Sequence, residues 1–367
     1  MKIVCSKSDL LKAVNISLRA VPVRSTTPIL ECILMKAENN QITFTTNDME
    51  IGIETIVPGT IVEEGMIALE AKIISDIIRK LPDDDVTLSV EPNLVATIVC
   101  GKAKFSVSGQ DGNDFTTIPE IEKEDCVIMS QLTLKETINQ TIFSTAQSDS
   151  NKLMTGELFE INGSQLKVVS LDGHRVAIRR VELKDNYSEK KVIVPGKTLQ
   201  EISKILSGEA DDEVCLYFMN NHIVFELPGT TIVSTLIEGE YFDVDHMLST
   251  DYETLIKVNR QEMISSIDRA SLFVKEGDKK PIIFDIKDGF MNLAIDSPIG
   301  SMDEDIDIEK EGRDIMIGFN PRLMIDALKA ISDEDVSLYL LNPKAPCFIR
   351  DENETYTYII LPVNFVK

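Results

Sequence analysis

The chain has 367 residues, and its 37 Lys and Arg against 61 Asp and Glu give a formal net charge of −24. With 43% apolar and 27% charged residues it has the balance of a globular protein, which disfavours a disordered, collagen-like or coiled-coil chain. No apolar run approaches the roughly 20 residues of a membrane span, and charges follow Met1 before an apolar signal region can form, so we expect a cytoplasmic protein without a membrane partner.

Six helices are predicted in chain order, because apolar residues recur at spacings of three and four. They cover 8–20, 70–82, 133–146, 196–207, 260–274 and 320–332. Between them, apolar residues at every second position predict strands. The helices hold 12 Lys and Arg against 8 Asp and Glu, although the whole chain is acidic. Such helices suit a surface that faces phosphates, but cations also gather at helix ends for electrostatic reasons alone.

A threefold internal repeat organises the chain. Three strings begin with three acids and continue with alternating apolar residues, at spacings of 128 and 122 residues. They are Asp83–Val90, Asp211–Phe218 and Asp333–Leu340. A second landmark recurs at equal intervals of 124 residues, as Asp48, Asp172 and Asp296. Each of these aspartates follows an alternating strand, and we expect each to end that strand in an Asx turn.

The repeat predicts an α+β fold of three topologically similar domains, each in the order strand, helix, strands, helix, strands. Boundaries near 121–125 and 249–253 give the domains 1–122, 123–250 and 251–367. Head-to-tail contacts between similar domains close into a ring when the rotation per step permits it.

The cysteines and histidines give no sign of a metal site. The six cysteines are scattered without a C-x-x-C pair, and none of the three histidines has a partner at i+3 or i+4. We therefore expect most cysteines to be small core residues, and we expect no metal or other cofactor.

Four segments, together with the repeat, carry a family resemblance. They are Arg24–Leu30, Asp172–Arg175, Glu240–Asp243 and Tyr358–Val363. In order and spacing, over essentially the full length, the chain resembles the bacterial sliding clamps, the beta subunits of DNA polymerase III. The resemblance implies a crescent of three domains and a head-to-tail homodimer that forms a six-domain ring, with helices inside and sheets outside. It also implies a non-enzymatic function: encircling duplex DNA to confer processivity on the replicative polymerase.

The resemblance places a peptide-binding cleft between the second and third domains. The catalytic subunit of DNA polymerase III, the clamp loader and other clamp-motif proteins would dock there. Carried over by position, the cleft comprises Met154, Leu171, Gly173, His174, Arg175, Val176, Phe242, His246, Met247, Ile359, Leu361, Pro362 and Val363. Phe242, His246 and Asn364 differ from the residues usual in the family, which leaves the peptide preference open. For Ile359, a plain core role competes with a role in the cleft.

Contacts with double-stranded DNA are expected to be independent of base sequence, because no base-reading element is evident. Three basic residues match family positions at or near the DNA: Arg24, Lys152 and Lys197. Five more are added by their place on predicted helices: Lys12, Arg79, Lys204, Arg322 and Lys329. For any one of them, a solvated surface charge is the competing interpretation.

The dimer contact implied by the resemblance joins the third domain of one copy to the first domain of the other. Leu272 and Phe273 would lie on one side, and an edge strand near 105–110 that includes Val107 on the other. A sheet that continues across this contact would pair strand edges that otherwise invite aggregation.

Two other functions remain possible from the residues alone. Asp172, His174 and Arg175 offer an acid, an imidazole and a guanidinium, as a hydrolase would need, but no P-loop, nucleophile elbow or metal motif accompanies them. A repeat-built scaffold unrelated to DNA is the second alternative.

Overall fold

The computed structural model describes residues 1–119, 125–147, 151–274, 280–351 and 353–365. They form two compact units, Met1–Thr133 with Lys197–Leu236, and Leu134–Gly196 with Ile237–Lys367. The predicted domain boundary at 122 lies outside the described residues. All six predicted helices are confirmed. They are α1 Lys7–Ser17, α2 Ala71–Lys80, α3 Gln131–Thr141, α4 Gly196–Ile205, α5 Arg260–Ser271 and α6 Pro321–Ala330.

The strands outnumber the helices and build the sheets. In chain order they are β1 Lys2–Ser6, β2 Cys32–Glu38, β3 Gln41–Asn47, β4 Ile51–Val57, β5 Thr60–Glu63, β6 Gly65–Glu70, β7 Asp85–Val90, β8 Val95–Cys100, β9 Ala103–Ser108, β10 Val127–Ser130, β11 Gly156–Leu171, β12 Arg175–Pro195, β13 Glu213–Phe218, β14 His222–Leu227, β15 Thr230–Thr235, β16 Thr254–Asn259, β17 Ile282–Lys287, β18 Phe290–Ser297, β19 Gly300–Asp307, β20 Glu309–Gly312, β21 Ile315–Phe319, β22 Asp335–Leu340, β23 Cys347–Arg350 and β24 Tyr356–Ile360. The strands predicted after the three acidic strings are β7, β13 and β22.

Each unit contains two antiparallel sheets. In the first unit the strand orders are β5-β1-β7-β8-β9 and β10-β13-β14-β15-β4-β3-β2-β6. In the second unit they are β11-β12-β24-β23-β22-β16-β20 and β19-β18-β17-β21. The larger sheet of each unit joins strands of two successive repeats, through the pairing of β4 with β15 and of β12 with β24. We call these two places the first junction and the second junction.

The helices form where sequence signals predict them. Ser6 caps α1 by accepting a hydrogen bond from the backbone of Asp9, and Asn320 caps α6 next to Pro321 in the first turn. The apolar faces of these helices are buried, for example at Leu10 in α1 and Leu328 in α6. The helices thereby close the cores that the sheets form.

The expected Asx turn occurs in two repeats and not in the third. The Asp48 carboxylate accepts hydrogen bonds from the backbone of Glu50 and Ile51, and Asp172 does the same two and three residues on. For Asp296 the prediction was wrong, because this residue lies within β18 and pairs with Ser301 of β19. Only Pro298 and Ile299 connect Ser297 to Gly300, so the hairpin runs past the aspartate.

One pair of cysteines differs from the expectation of isolated core residues. Cys126 and Cys215, 89 residues apart, form a disulfide with their Cα atoms 5.7 Å from each other. The other four cysteines are buried thiols. Burial raises the pKa of the Cys5 thiol to about 11, so this thiol stays protonated and unreactive at neutral pH.

Candidate functional site

The loop between β11 and β12 forms the centre of the proposed cleft. Gly173 adopts a left-handed backbone with φ of 86°, and a Cβ there would meet nothing within 4 Å. The backbone oxygen of His174 accepts a hydrogen bond from Leu361 at 2.9 Å. The loop is thereby tied to the segment after β24, and the two segments form adjacent walls.

Arg175 is anchored beneath this loop. Its guanidinium lies 3.0 Å from Asp172 and 2.6 Å from Asp326, donates to the backbone oxygen of Phe143, and sits over the Phe143 ring. Its side chain is only 10% exposed. A guanidinium with these partners fixes the orientation of the loop.

The apolar residues of the cleft divide into a buried floor and an exposed rim. Leu171, Val176 and Ile359 are buried in a core that also contains Tyr241, so the core interpretation holds for Ile359. Met154 and Phe242 pack against this core while partly exposed. Met247 and Leu361, which are 51% and 41% exposed, are the proposed rim. Large exposed apolar side chains beside a packed floor are typical of a peptide-binding surface.

The segment that carries Met247 is held by a lysine on β11. The Lys167 ammonium lies 2.7 Å from Asp245 and 3.5 Å from Glu160. Its hydrogen bond keeps the pKa of the Asp245 carboxyl below the ordinary value. The neighbouring His246 is exposed and lies 3.1 Å from Asp243, so it adds polar character to the rim.

The C-terminal segment is held in place by a hydrogen bond to a neighbouring strand. Val363 donates a backbone hydrogen bond to Gly318 of β21 at 2.8 Å, and Pro362 and Val363 are partly buried. Leu361 is consequently presented from a fixed backbone.

A buried acid lies behind the cleft. Burial raises the pKa of Glu157 well above its ordinary value, partly opposed by a hydrogen bond from Thr141. Its other oxygen, Oε1, has no partner among the described residues. Burial of this kind favours the neutral, protonated form of the carboxyl.

The same geometry opposes a hydrolase. Both Asp172 oxygens serve the turn and Arg175, and among the described residues no hydrogen bond joins the His174 imidazole to Asp172. His174 is exposed, and within the described part of the chain its imidazole has no hydrogen bond to the orienting partner that a general base needs. In the described parts of the chain, no three His, Cys, Asp or Glu side chains lie close enough to hold a metal ion.

All eight basic residues proposed to contact DNA are exposed. Lys12, Arg79, Lys204, Arg322 and Lys329 lie on α1, α2, α4 and α6, and Lys152 begins a short 3₁₀ helix. A cavity of about 500 Å³ is lined by the loop Val21–Val23, which precedes Arg24, and by Lys72 and Arg79 of α2. This places two of the predicted contacts on neighbouring elements.

Lys197 is held by two acids of the loop between β3 and β4. Its ammonium lies 2.9 Å from Asp48 and 3.9 Å from Glu50. Partial burial lowers the pKa of Lys197, but the hydrogen bond to Asp48 and the nearby acids outweigh this effect and raise it. A DNA contact by Lys197 would have to compete with Asp48.

The residues predicted at the dimer contact differ in exposure. Leu272 is 74% exposed, whereas Phe273 packs partly against the core of the third repeat. Val107 is buried, but its strand β9 lies at the end of its sheet. Any contact by Val107 would therefore use the backbone edge and not the side chain.

Three family models cover almost the whole chain. They describe the N-terminal, central and C-terminal domains of the DNA polymerase III beta subunit and match residues 1–119, 128–243 and 245–364. The chain belongs to the DNA polymerase III beta-subunit family. The three-domain α+β architecture predicted from the repeat is thereby confirmed.

Individual members of the family match along their full length. A beta sliding clamp of Staphylococcus aureus is 32% identical over 374 residues, which is 99% of both chains. A structure from Eubacterium rectale, assigned to a DNA polymerase III beta subunit, is 60% identical with a TM-score of 0.96 and complete coverage of both chains. The DNA polymerase sliding clamp of Bacillus subtilis is 32% identical, with a TM-score of 0.95 and complete coverage of both. Among the described residues, no helix combines the length and apolar composition that a membrane crossing requires.

Sequence reasoning missed the partners of the cleft loop. Asp326, which fixes Arg175, is 151 residues away in the chain, and Lys167 and Asp245 are separated by 78. Charge alone did not distinguish these residues from surface acids and bases. The equal spacing of Asp48 and Asp172 was the one available signal that a second loop of the same kind exists.

Proposed function

We propose that two copies of this chain join head to tail into a ring that encircles duplex DNA and tethers the replicative polymerase. The function is one of binding, because the family is a processivity factor without catalytic activity. The observation that carries the proposal is the match to sliding clamps over the full length of the chain. The packed floor, the exposed side chains and the anchored loop at the proposed cleft support it.

Tethering explains why weak contacts suffice. A polymerase held by the ring stays at high local concentration, so it rebinds before it escapes. The exposed cations supply attraction to the phosphates that does not depend on base sequence, while the net charge of −24 opposes tight adhesion elsewhere. The proposed partners are therefore double-stranded DNA, the catalytic subunit of DNA polymerase III, the clamp loader and other clamp-motif proteins.

Topological linkage is tested with plasmid DNA. The labelled protein is loaded onto a nicked circular plasmid by a clamp loader, and the complex is separated by gel filtration. We expect retention on the circle and loss after the plasmid is linearised. Equal retention on linear and circular DNA would contradict encirclement.

The homodimer is tested at Leu272, the exposed residue of the predicted contact. We expect light scattering at micromolar concentration to give about twice the 41.0 kDa chain mass, and Leu272→Asp to give a folded monomer. The single substitution avoids Phe273, which packs partly against the core of the third repeat. Val62→Asp, at an exposed apolar residue on β5, is the matched control and should remain dimeric. A monomeric parent chain would exclude the ring.

The cleft is tested with a labelled peptide that contains Gln and two spaced leucines, acetyl-Gln-Leu-Ser-Leu-Gly-amide. Met247→Ala and Leu361→Ala should each weaken binding about tenfold in fluorescence anisotropy, since rim anchors carry most of the energy of such contacts. Leu341→Ala removes a comparably exposed apolar side chain outside the cleft and should not change the affinity. Point variants are preferable to deleting residues 361–367, because Val363 bonds to β21.

A further inference from the structure

The first junction carries a second pocket, with a volume of about 280 Å³. Four segments line it: the loop between β3 and β4, residues 116–119, His222 at the start of β14, and the part of β15 around Val233 and Thr235. All of them lie within the first unit. We call this cavity the first-junction pocket.

The backbone around the first-junction pocket has the same hydrogen-bond pattern as the backbone around the cleft. The Asx turn of Asp48 corresponds to that of Asp172, 124 residues later. Thr235 donates a backbone hydrogen bond to Glu50 at 2.9 Å, as Leu361 does to His174 at 2.9 Å. The first-junction pocket therefore has the same arrangement of loop and adjoining strand that forms the cleft.

The apolar side chains of the pocket resemble an anchor site. Ile118, Pro119 and Val233 form its apolar wall, and Met49 is 61% exposed at its rim. Met49 holds a left-handed backbone with φ of 74°, in the place that Gly173 occupies in the cleft. A flexible thioether fixed in a costly conformation at a pocket is suited to contact a varied apolar ligand.

The rim of the first-junction pocket carries a carboxylate where the cleft carries an imidazole. Glu50 stands where the cleft has His174, and its side chain is 65% exposed. Lys197 lies 2.9 Å from Asp48 but 3.9 Å from Glu50, so it mainly neutralises Asp48. The Glu50 carboxylate is left as an acceptor for a cationic group.

We propose that the first-junction pocket binds a short extended segment of a partner protein that carries one apolar side chain next to Lys or Arg. The apolar side chain occupies the space beside Ile118 and Met49, and the cation pairs with Glu50. The inference rests on the proposed function, because we take the extended form of the ligand from the cleft, where the loop and the adjoining strand have the same arrangement.

The test uses the full chain with ¹³C-methyl methionine and follows methyl signals by NMR. Met49 reports on the first-junction pocket, and Met154 and Met247 report on the cleft, each assigned through its Leu variant. The probe is acetyl-Gly-Ser-Arg-Leu-Ser-Gly-amide, with one control peptide that has Glu for Arg and another that has Ser for Leu. The leucine and glutamine peptide described above is added separately to test the cleft.

We expect the arginine and leucine probe to shift the Met49 signal with saturation, and both control peptides to bind about tenfold more weakly. Glu50→Lys should abolish the response, whereas Glu54→Lys, the same charge change at an exposed residue of β4 outside the pocket, should retain it. No shift of Met49 up to about 5 mM probe, a range that covers millimolar contacts, would overturn the inference. An equal response to the Glu peptide would also overturn it. Failure of the cleft peptide to shift Met154 or Met247 would count against the proposed function instead.

Discussion

The two junctions have the same pattern of backbone hydrogen bonds, but different side-chain interactions stabilise them. At the second junction, the nearly buried Arg175 joins Asp172 to Asp326. At the first junction, Asp48 pairs with the exposed Lys197, and the disulfide Cys126–Cys215 packs with Val233 and Ile118. The backbone hydrogen bonds thus set each loop, and the side chains decide its stability and what it can bind.

Removing the disulfide is expected to have the largest effect on this comparison. A cross-link over 89 residues contributes about 4 kcal/mol in the chain-entropy model. The double variant Cys126→Ser with Cys215→Ser should therefore lower the thermal midpoint of the first unit by roughly 10 °C. Hydrogen exchange should show increased opening in β10 and β13 and unchanged protection in β17 and β18. An unchanged midpoint after reduction would contradict the cross-link.

Removing the ion pair of each junction is expected to give the next largest difference in stability between the two. Arg175→Ala leaves Asp172 without its guanidinium and should cost about 2–3 kcal/mol, measured by urea unfolding. Lys197→Ala is the matched substitution at the first junction and should cost less than about 1 kcal/mol, because the Lys197 side chain is 65% exposed. Equal losses would show that the two loops are held alike.

The buried acid gives the second junction a pH dependence. Glu157 lies on β11, and the residue 124 positions earlier is the fully buried Ile33. Because folding raises the pKa of Glu157 above 4.5, its contribution to stability is complete below that pH and is lost as pH rises toward the folded pKa. The loss is about 1.4 kcal/mol per pH unit in that window. Glu157→Gln should therefore gain stability relative to the parent as the pH is raised above 4.5, in thermal unfolding over the pH range in which the chain stays folded. A constant difference across that range would contradict a raised pKa.

The smallest expected effect concerns the left-handed residue of each loop. Gly173→Ala should destabilise the chain by about 1 kcal/mol. A positive φ is unfavourable for alanine, even though the added Cβ would meet no atom within 4 Å. Met49→Gly removes that cost and should stabilise the chain by about 0.5 kcal/mol. Opposite signs in parallel chemical unfolding would support the correspondence of the loops, and equal signs would count against it.

Local patterns predicted most of the architecture. Apolar spacing predicted all six helices, because each buries one face, and the acidic strings predicted β7, β13 and β22. The same reasoning failed at Asp296, since a two-residue connection through Pro298 lets the hairpin continue. Whether a strand ends at an aspartate depends on the pairing that follows it.

The features that depend on distant residues could not be predicted. The disulfide requires β10 to lie beside β13, and the anchoring of Arg175 requires Asp326 to approach from another part of the chain. For the site, the resemblance identified candidate positions, and burial in the structure then divided the apolar ones into floor and rim. Sequence spacing contains no information on that division.

Among the described residues, the second repeat forms no sheet from its own strands alone. Its strands β10, β13, β14 and β15 belong to a sheet with strands of the first repeat, and β11 and β12 belong to one with strands of the third. If this repeat were excised, it would expose bare edges along β15 and β12, where β4 and β24 now pair. The chain is built from three copies of one fold, yet it cannot be divided into three modules.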